Sequence, residues 1–277
     1  MPGRVDNPVG GVRCPPVVVA AADPRTLGEV PVAMLTVVRL EEKSNTACAV
    51  TSTGDRVHLA WTGSDLHLNL ASSPDGHTFA GKQRLAHQSY QRRDSTDLFD
   101  SSKTSTTWVP LPPALTANGE RLYLAWTGRD GALRVVVAER GVISPPVAFK
   151  ERAGMAPSVA TSGRGLTLAW TGTDRRVNLR TVAYDWSSRK LRLEEARSGA
   201  APAVCSHRDG LVVAWTGTDR RVNLLTLADG RPTRPIRLEE ARSGAAPAVC
   251  SHHGTLTVGW AGSGRRLYVG QVEERFV

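Results

Sequence analysis

The chain lacks the marks of several large protein classes. No apolar run approaches the roughly 20 residues that a membrane helix needs, so no membrane partner is expected. Only four of its 277 residues are cysteine. No Cys-x-x-Cys or His-x-x-x-His spacing occurs, so no metal site is expected. Gly-x-Ser-x-Gly, phosphate-loop and dinucleotide fingerprints are absent too, and no cofactor is expected. Lysine is scarce: Lys43, Lys82, Lys103, Lys150 and Lys190 are the five among 35 basic residues. The formal charge of +9 is therefore carried by arginine, whose planar fork suits carboxylate and phosphate. That charge reads either as a solvated surface or as a face for an anionic partner; nucleic acid is not expected. Val17–Ala22 is too short for a signal-peptide core and follows Pro15 and Pro16, so a cytoplasmic location is expected.

What the chain does have is a repeat. Ala-Trp-Thr-Gly occurs around Trp61, Trp126, Trp170 and Trp215, with Gly-Trp-Ala-Gly around Trp260, at spacings of 65, 44, 45 and 45 residues. Each Trp ends an alternating apolar stretch, such as Leu166-Thr-Leu-Ala-Trp170, and period-two alternation predicts a strand. Thirteen residues before each Trp stands Pro113, Pro157, Pro202 or Pro247, with Cys48 in the first copy, and a short strand follows. A Gly-containing turn after the Trp leads to a third strand, such as Val222–Leu227. A second turn, Asp75-Gly76 or Asp229-Gly230, leads to a fourth. Four short antiparallel strands per repeat make the blade of a propeller. Helical periodicity is absent. Cys205 and Cys250 fall at one position in two copies, hence in different blades, and read as small buried thiols.

The predicted fold is therefore an all-β, five-bladed β-propeller with four antiparallel strands per blade. The last copy stops after a third strand, Leu267–Val272. Val38-Arg-Leu-Glu-Glu42 resembles the fourth strands Leu191–Glu195 and Ile236–Glu240. The N-terminal strand, about 36–43, is thus expected to complete the last blade and close the ring. Residues 1–33 are rich in Pro and Gly and read as an arm or strap; 34–277 read as the propeller. The long first spacing marks an insertion at about 90–110, where the strand 2–3 turns and blade connections lie.

Candidate site residues follow from that layout. A long loop on a rigid scaffold often carries function. If the protein is an enzyme, Asp94, Asp97, Asp100, Tyr90 and His87 are its candidate acids, bases and ligands. Tyr90 and Trp108 can stack on a sugar. The turns after each Trp carry Asp65, Asp130, Asp174 and Asp219, which serve as turn acceptors or as ligand contacts. Arg129, Arg176, Arg221 and Arg266 on the same face read as solvated tips or as an anion-binding ring. The five Trp wedge between blades or stack on ligand.

One segment, Leu68-Asn-Leu-Ala-Ser-Ser-Pro-Asp-Gly-His-Thr-Phe79, resembles the Asp-box of sialidase-like propellers and of propeller lectins. Ser72, Gly76, Thr78 and Phe79 match the family pattern, with Pro74 at the Asp position and Asp75 one place later. The near-identical stretches Leu193–Cys205 and Leu238–Cys250 resemble the recent duplications of five-bladed, tachylectin-like lectins. The resemblance implies a propeller fold and a multivalent carbohydrate-binding module. Sialidase activity is not implied, because the arginine triad and tyrosine–glutamate pair cannot be mapped. A monomer binding a glycan or other small molecule is the leading expectation. A single-site enzyme using the insertion, and a scaffold binding an acidic partner through the Arg-rich face, are the alternatives.

Overall fold

A computed structural model describes residues 39–44, 46–96, 104–208, 210–262 and 266–272, with 90–96 and 104–108 described by backbone alone. Contacts divide the chain into two units, Met1–Glu41 and Glu42–Val277, and among the described residues every strand belongs to the second. The described residues are all β, without helix.

The first sheet runs in chain order through β1 (Ala49–Thr53), β2 (Arg56–Thr62), β3 (His67–Ser73) and β4 (Ala80–Gln88), every pairing antiparallel. A separate hairpin follows, β5 (Tyr90–Thr96) with β6 (Thr104–Pro110), whose pairing runs from Tyr90–Pro110 to Thr96–Thr104. The insertion is thus a hairpin in the link between the first two blades. It leaves and rejoins that link side by side, where the Leu111 N–H donates to the Ser89 carbonyl at 3.1 Å.

The second sheet holds β7 (Ala114–Asn118), β8 (Arg121–Thr127) and β9 (Ala132–Glu139), with β10 (Val142–Ile143) and β11 (Val147–Arg152) both on the far edge of β9. The third is β12 (Ser158–Ser162), β13 (Gly165–Thr171), β14 (Arg176–Val182) and β15 (Ser188–Arg197). The fourth is β16 (Ala203–His207), β17 (Gly210–Thr216) and β18 (Arg221–Ala228), edged by β19 (Arg231–Pro232) and β20 (Ile236–Arg242). The outer strands of the second and fourth sheets are broken at Pro145-Pro146 and Pro235, which have no N–H for a ladder. The last sheet is β21 (Ala248–His252), β22 (Thr255–Ala261) and β23 (Leu267–Val272).

The second strands depart from the simple alternation read in the sequence. All seven residues of β13 are buried, as are six of seven in β8 and β17. The reason is that each middle sheet packs a neighbour on both faces. Four hydrophobic clusters fill the interfaces between successive sheets, each mixing side chains from two blades. Trp126, Trp170 and Trp215 are buried in them, Trp61 is buried outside them, and Trp260 of the last sheet is only partly covered.

The rest of the Ala-Trp-Thr-Gly motif is explained by the same packing. Thr62, Thr127, Thr171 and Thr216 donate their hydroxyls to the carbonyls of Leu111, Met155, Ala200 and Ala245, at 2.7, 3.0, 2.7 and 2.7 Å. Every acceptor lies just ahead of the first strand of the next blade. The glycine is required by space: a Cβ at Gly217 would lie 2.6 Å from Asp219 Oδ1 and 3.0 Å from Asn223 Nδ2.

The first strands neighbour one another in the series β1, β7, β12, β16, β21, but β21 and β1 do not pack together in the same way. Both ends of the series leave apolar side chains exposed, Val50 on β1 at 60 % and Leu267 and Val269 on β23 at 84 and 74 %. Arg39–Lys43 form no strand, and among the described residues the last sheet has three strands. The closing strand expected over 36–43 is therefore not formed at 39–43, and 36–38 lie outside the described residues.

Candidate ligand-binding clefts

Among the described residues, the face carrying the strand 1–2 and 3–4 turns has a cleft between each successive pair of the first four blades. These clefts measure about 310, 240 and 350 Å³ in chain order. Their frames are equivalent. The later blade of each pair supplies an apolar floor: Leu122 and Ala138, Leu166 and Val182, then Leu211 and Leu227. The rim residue fourteen places after the blade Trp differs in each: Arg140 after Trp126, Tyr184 after Trp170, Asp229 after Trp215. One scaffold position thus makes one cleft cationic, one aromatic and one acidic at its rim.

The middle cleft is the most developed. Its floor includes Tyr123, 6 % exposed, whose hydroxyl burial holds above its ordinary pKa. Arg121 Nε donates to Glu139 Oε2 at 3.0 Å, forming a charged fork along one wall. Opposite stand Tyr184 and Trp186, exposed by 46 and 43 %. The Tyr184 hydroxyl donates to the Ser162 carbonyl at 3.3 Å and accepts from Asn118 Nδ2, which fixes the ring. Trp186 sits in the tight turn between β14 and β15, with φ of 65°. That turn is locked by the Ala183 N–H to the Ser187 carbonyl at 2.8 Å and by Ser187 N–H to Asp185 Oδ1 at 2.9 Å. Gly141 and Gly230 hold the left-handed conformation in the corresponding turns of the flanking blades. Two partly exposed aromatic faces beside an arginine–glutamate fork offer stacking and directed hydrogen bonds together. In the next cleft, Arg164 and Asp229 pair across the blades at 2.6 Å.

The residues singled out in the sequence lie elsewhere, most of them on the opposite face. Asp65, Asp130, Asp174 and Asp219 each accept the backbone N–H two residues on, all at 3.1 Å. Each is also paired with arginine: Arg84, Arg134, Arg192 and Arg237 at 2.9, 2.7, 2.9 and 3.2 Å. The Arg134 guanidinium, more than any other group, holds the Asp130 carboxyl well below the usual carboxylate range. These aspartates are thus engaged as turn acceptors. Arg176 reaches Asp174 and Glu194, both at 3.4 Å, and Arg221 reaches Glu239 at 3.0 Å. Arg129 is exposed on a turn, and Arg266 is exposed just ahead of β23.

His87 stacks on Trp126 with centroids 5.2 Å apart and planes at 23°, a packing contact. Tyr90 and Asp94 lie on β5 and Trp108 on β6, while Asp97 and Asp100 fall outside the described residues. In the Asp-box-like turn, Asp75 is the hub. It accepts from the Ser73 hydroxyl at 2.7 Å and from the N–H groups of His77 and Thr78 at 2.8 and 2.7 Å. The serine partner is Ser73, one place after the residue matched by pattern.

Tyr184, Trp186, Arg121 and Glu139 escape a reading based on the repeat. A signal was present: Trp186 is a tryptophan outside the repeat, in a strand 3–4 turn where other copies carry glycine.

No family profile matches the chain, and no curated protein sequence matches it. Solved structures are similar in fold. A triple arginine-to-alanine mutant of AofleA from Arthrobotrys oligospora has a TM-score of 0.50 at 9 % identity, covering 84 % of this chain and 85 % of its own. The fungal lectin of Aleuria aurantia, described as a six-bladed β-propeller with a novel fucose recognition mode, has a TM-score of 0.46 at 12 % identity over 81 and 89 %. A GH43 endo-arabinanase from Bacillus licheniformis has 0.44 at 11 % identity over 85 and 96 %. At these identities the likeness concerns the fold alone: the chain is an all-β protein of antiparallel sheets, and the solved structures similar to it include one described as a six-bladed β-propeller.

Proposed function

We propose that the protein is a carbohydrate-binding β-propeller of five blades whose principal site is the cleft between blades 2 and 3. One observation carries this reading. Tyr184 and Trp186 present partly exposed rings to a cleft of about 240 Å³ beside the Arg121–Glu139 fork. Sugars offer apolar C–H faces to aromatic rings and paired hydroxyls to charged donors and acceptors, and this cleft holds both complements. Tyr123 at the floor and the fixed Tyr184 hydroxyl add polar contacts without reorganisation. The fucose recognition described for the Aleuria lectin agrees with a sugar ligand for a propeller.

The test is a glycan array followed by titration calorimetry of the best hit. Binding is expected to weaken at least ten-fold in Arg121→Ala and in Tyr184→Ala, with circular dichroism unchanged. An array without any hit, or a hit indifferent to both substitutions, overturns the reading.

A second reading is favoured by hairpin β5–β6, which makes one sector unlike the rest. On this reading the protein is a single-site enzyme acting on a polysaccharide, with Tyr90 and Asp94 on the hairpin and His87 at its foot. Release of reducing ends from a glycan panel, lost in Asp94→Asn, would establish it; a panel without turnover removes it.

A further inference from the structure

We infer that the cleft between blades 1 and 2 is a separate oxyanion site, taking a carboxylate, sulfate or phosphate group on Arg56 and Arg140. The two arginines come from different blades, Arg56 from β2 and Arg140 from the turn after β9, and line one cleft of about 310 Å³. Arg56 is half-buried and donates to Ser72 Oγ at 3.1 Å, which aims its guanidinium along the wall. His58 stands beside it, its Nε2 held to Thr53 Oγ1 at 2.7 Å. Glu120 is the one acidic group among the lining residues, so two guanidinium cations face one anion.

Several other arginines of the chain are already matched by carboxylates. On the opposite face Arg84, Arg134, Arg176, Arg192, Arg221 and Arg237 each lie within ion-pair distance of a carboxylate. In the third cleft Arg164 is matched by Asp229. Among the described residues no ion pair engages Arg56 or Arg140. An anionic partner was expected from the charge of the chain, on the face of the arginine pairs. Arg175 and Arg220 on that face also form no ion pair among the described residues, so the structure adds to that face a second place, a cleft of the other face where two unpaired arginines come together. Two guanidiniums in a partly enclosed cleft offer the planar, multidentate donors that a tetrahedral or planar oxyanion fills. The frame shared with the middle cleft then lets one molecule hold a neutral sugar and an acidic group at separate sites. This inference does not rest on the sugar reading.

The experiment is titration calorimetry of the full chain with sodium sulfate, sodium glucuronate and methyl glucoside, in chloride buffer of constant ionic strength. The variants are Arg140→Gly, which keeps the φ of 50° at that position accessible, and Arg56→Gln. Arg164→Gln in the third cleft is the control. The expected result is binding of sulfate or glucuronate but not of the neutral glycoside. That affinity should weaken at least ten-fold in Arg140→Gly, stay unchanged in Arg164→Gln, and fall as salt is raised. A preference for glucuronate over sulfate identifies an acidic sugar as the source, and the reverse identifies a free inorganic oxyanion. Absence of anion binding, or binding indifferent to Arg140→Gly, overturns the proposal. Either result leaves the sugar reading to its own test on Arg121 and Tyr184.

Discussion

Trp186 adopts φ of 65°, a conformation that a bulky L-residue holds at a penalty of about 1–2 kcal/mol. The flanking blades put Gly141 and Gly230 in the same conformation. A strained aromatic that persists where glycine would be easier argues for a role in binding. Trp186→Gly is therefore expected to leave the fold intact or stabilise it by up to about 1 kcal/mol, while glycan affinity falls at least ten-fold. Urea denaturation and calorimetry on the same samples check both halves, and a destabilised variant with full affinity would contradict the argument. A second effect at this scale concerns pH. Burial first, then a neighbouring arginine, holds His58 and His87 below their ordinary value of 6.5. The unfolded chain takes up protons as pH falls through that value, whereas the folded chain resists until lower pH. Stability is thus full above about pH 6.5 and is lost progressively below it. The urea midpoint should drop between about pH 7.5 and pH 5.5, and His87→Gln should flatten the slope.

At the scale of the element, the same threonine hydroxyl reaches from each of the first four blades to the next. Thr171 is buried at 2 % exposure and donates to the Ala200 carbonyl at 2.7 Å. Thr171→Val is expected to destabilise the protein by about 1 kcal/mol through loss of this buried hydrogen bond, measured by chemical denaturation. Ala261→Thr, in the last blade, should gain nothing. The hairpin is the opposite case. Tyr90 and Pro110 are paired and the Leu111–Ser89 bond lies below them, so a two-residue turn can replace 91–109. Stability is expected to change by less than about 1 kcal/mol, and loss of the blades' β signal in circular dichroism would refute it. Much of this was legible in the sequence, because alternation and a Gly turn are local properties. Trp61 to Trp260 mark the second strands, and the long first spacing marks the hairpin. Burial of β13 on both faces was not legible, since it depends on two other sheets. The clefts were hidden for the same reason: Arg121 and Trp186 meet across a blade boundary. The deciding residues, Arg140, Tyr184 and Asp229, occupy the position where the copies disagree, and a search for agreement passes over them.

For the larger unit, the interfaces among the described residues form a row of four. Four clusters join five sheets, and the last sheet has exposed Leu267 and Val269 on its edge strand. Opening should therefore be easiest at the end and hardest in the middle. Hydrogen exchange is expected to be faster in β21–β23 than in β13 and β17, and uniform protection across all five sheets would contradict it. The clefts differ at their rims, so a glycan titration should fit one strong site with weaker ones, unlike the equal sites that the repeat suggested.

The four threonine hydroxyls all reach forward along the chain, from Thr62 to Leu111, Thr127 to Met155, Thr171 to Ala200 and Thr216 to Ala245. Their acceptors leave the ribosome after their donors. Each newly made blade thus waits, with one apolar face bare and one donor unmet, until its successor emerges. Assembly acquires a direction from synthesis itself, and a stalled or truncated chain presents a sticky surface wherever translation stops.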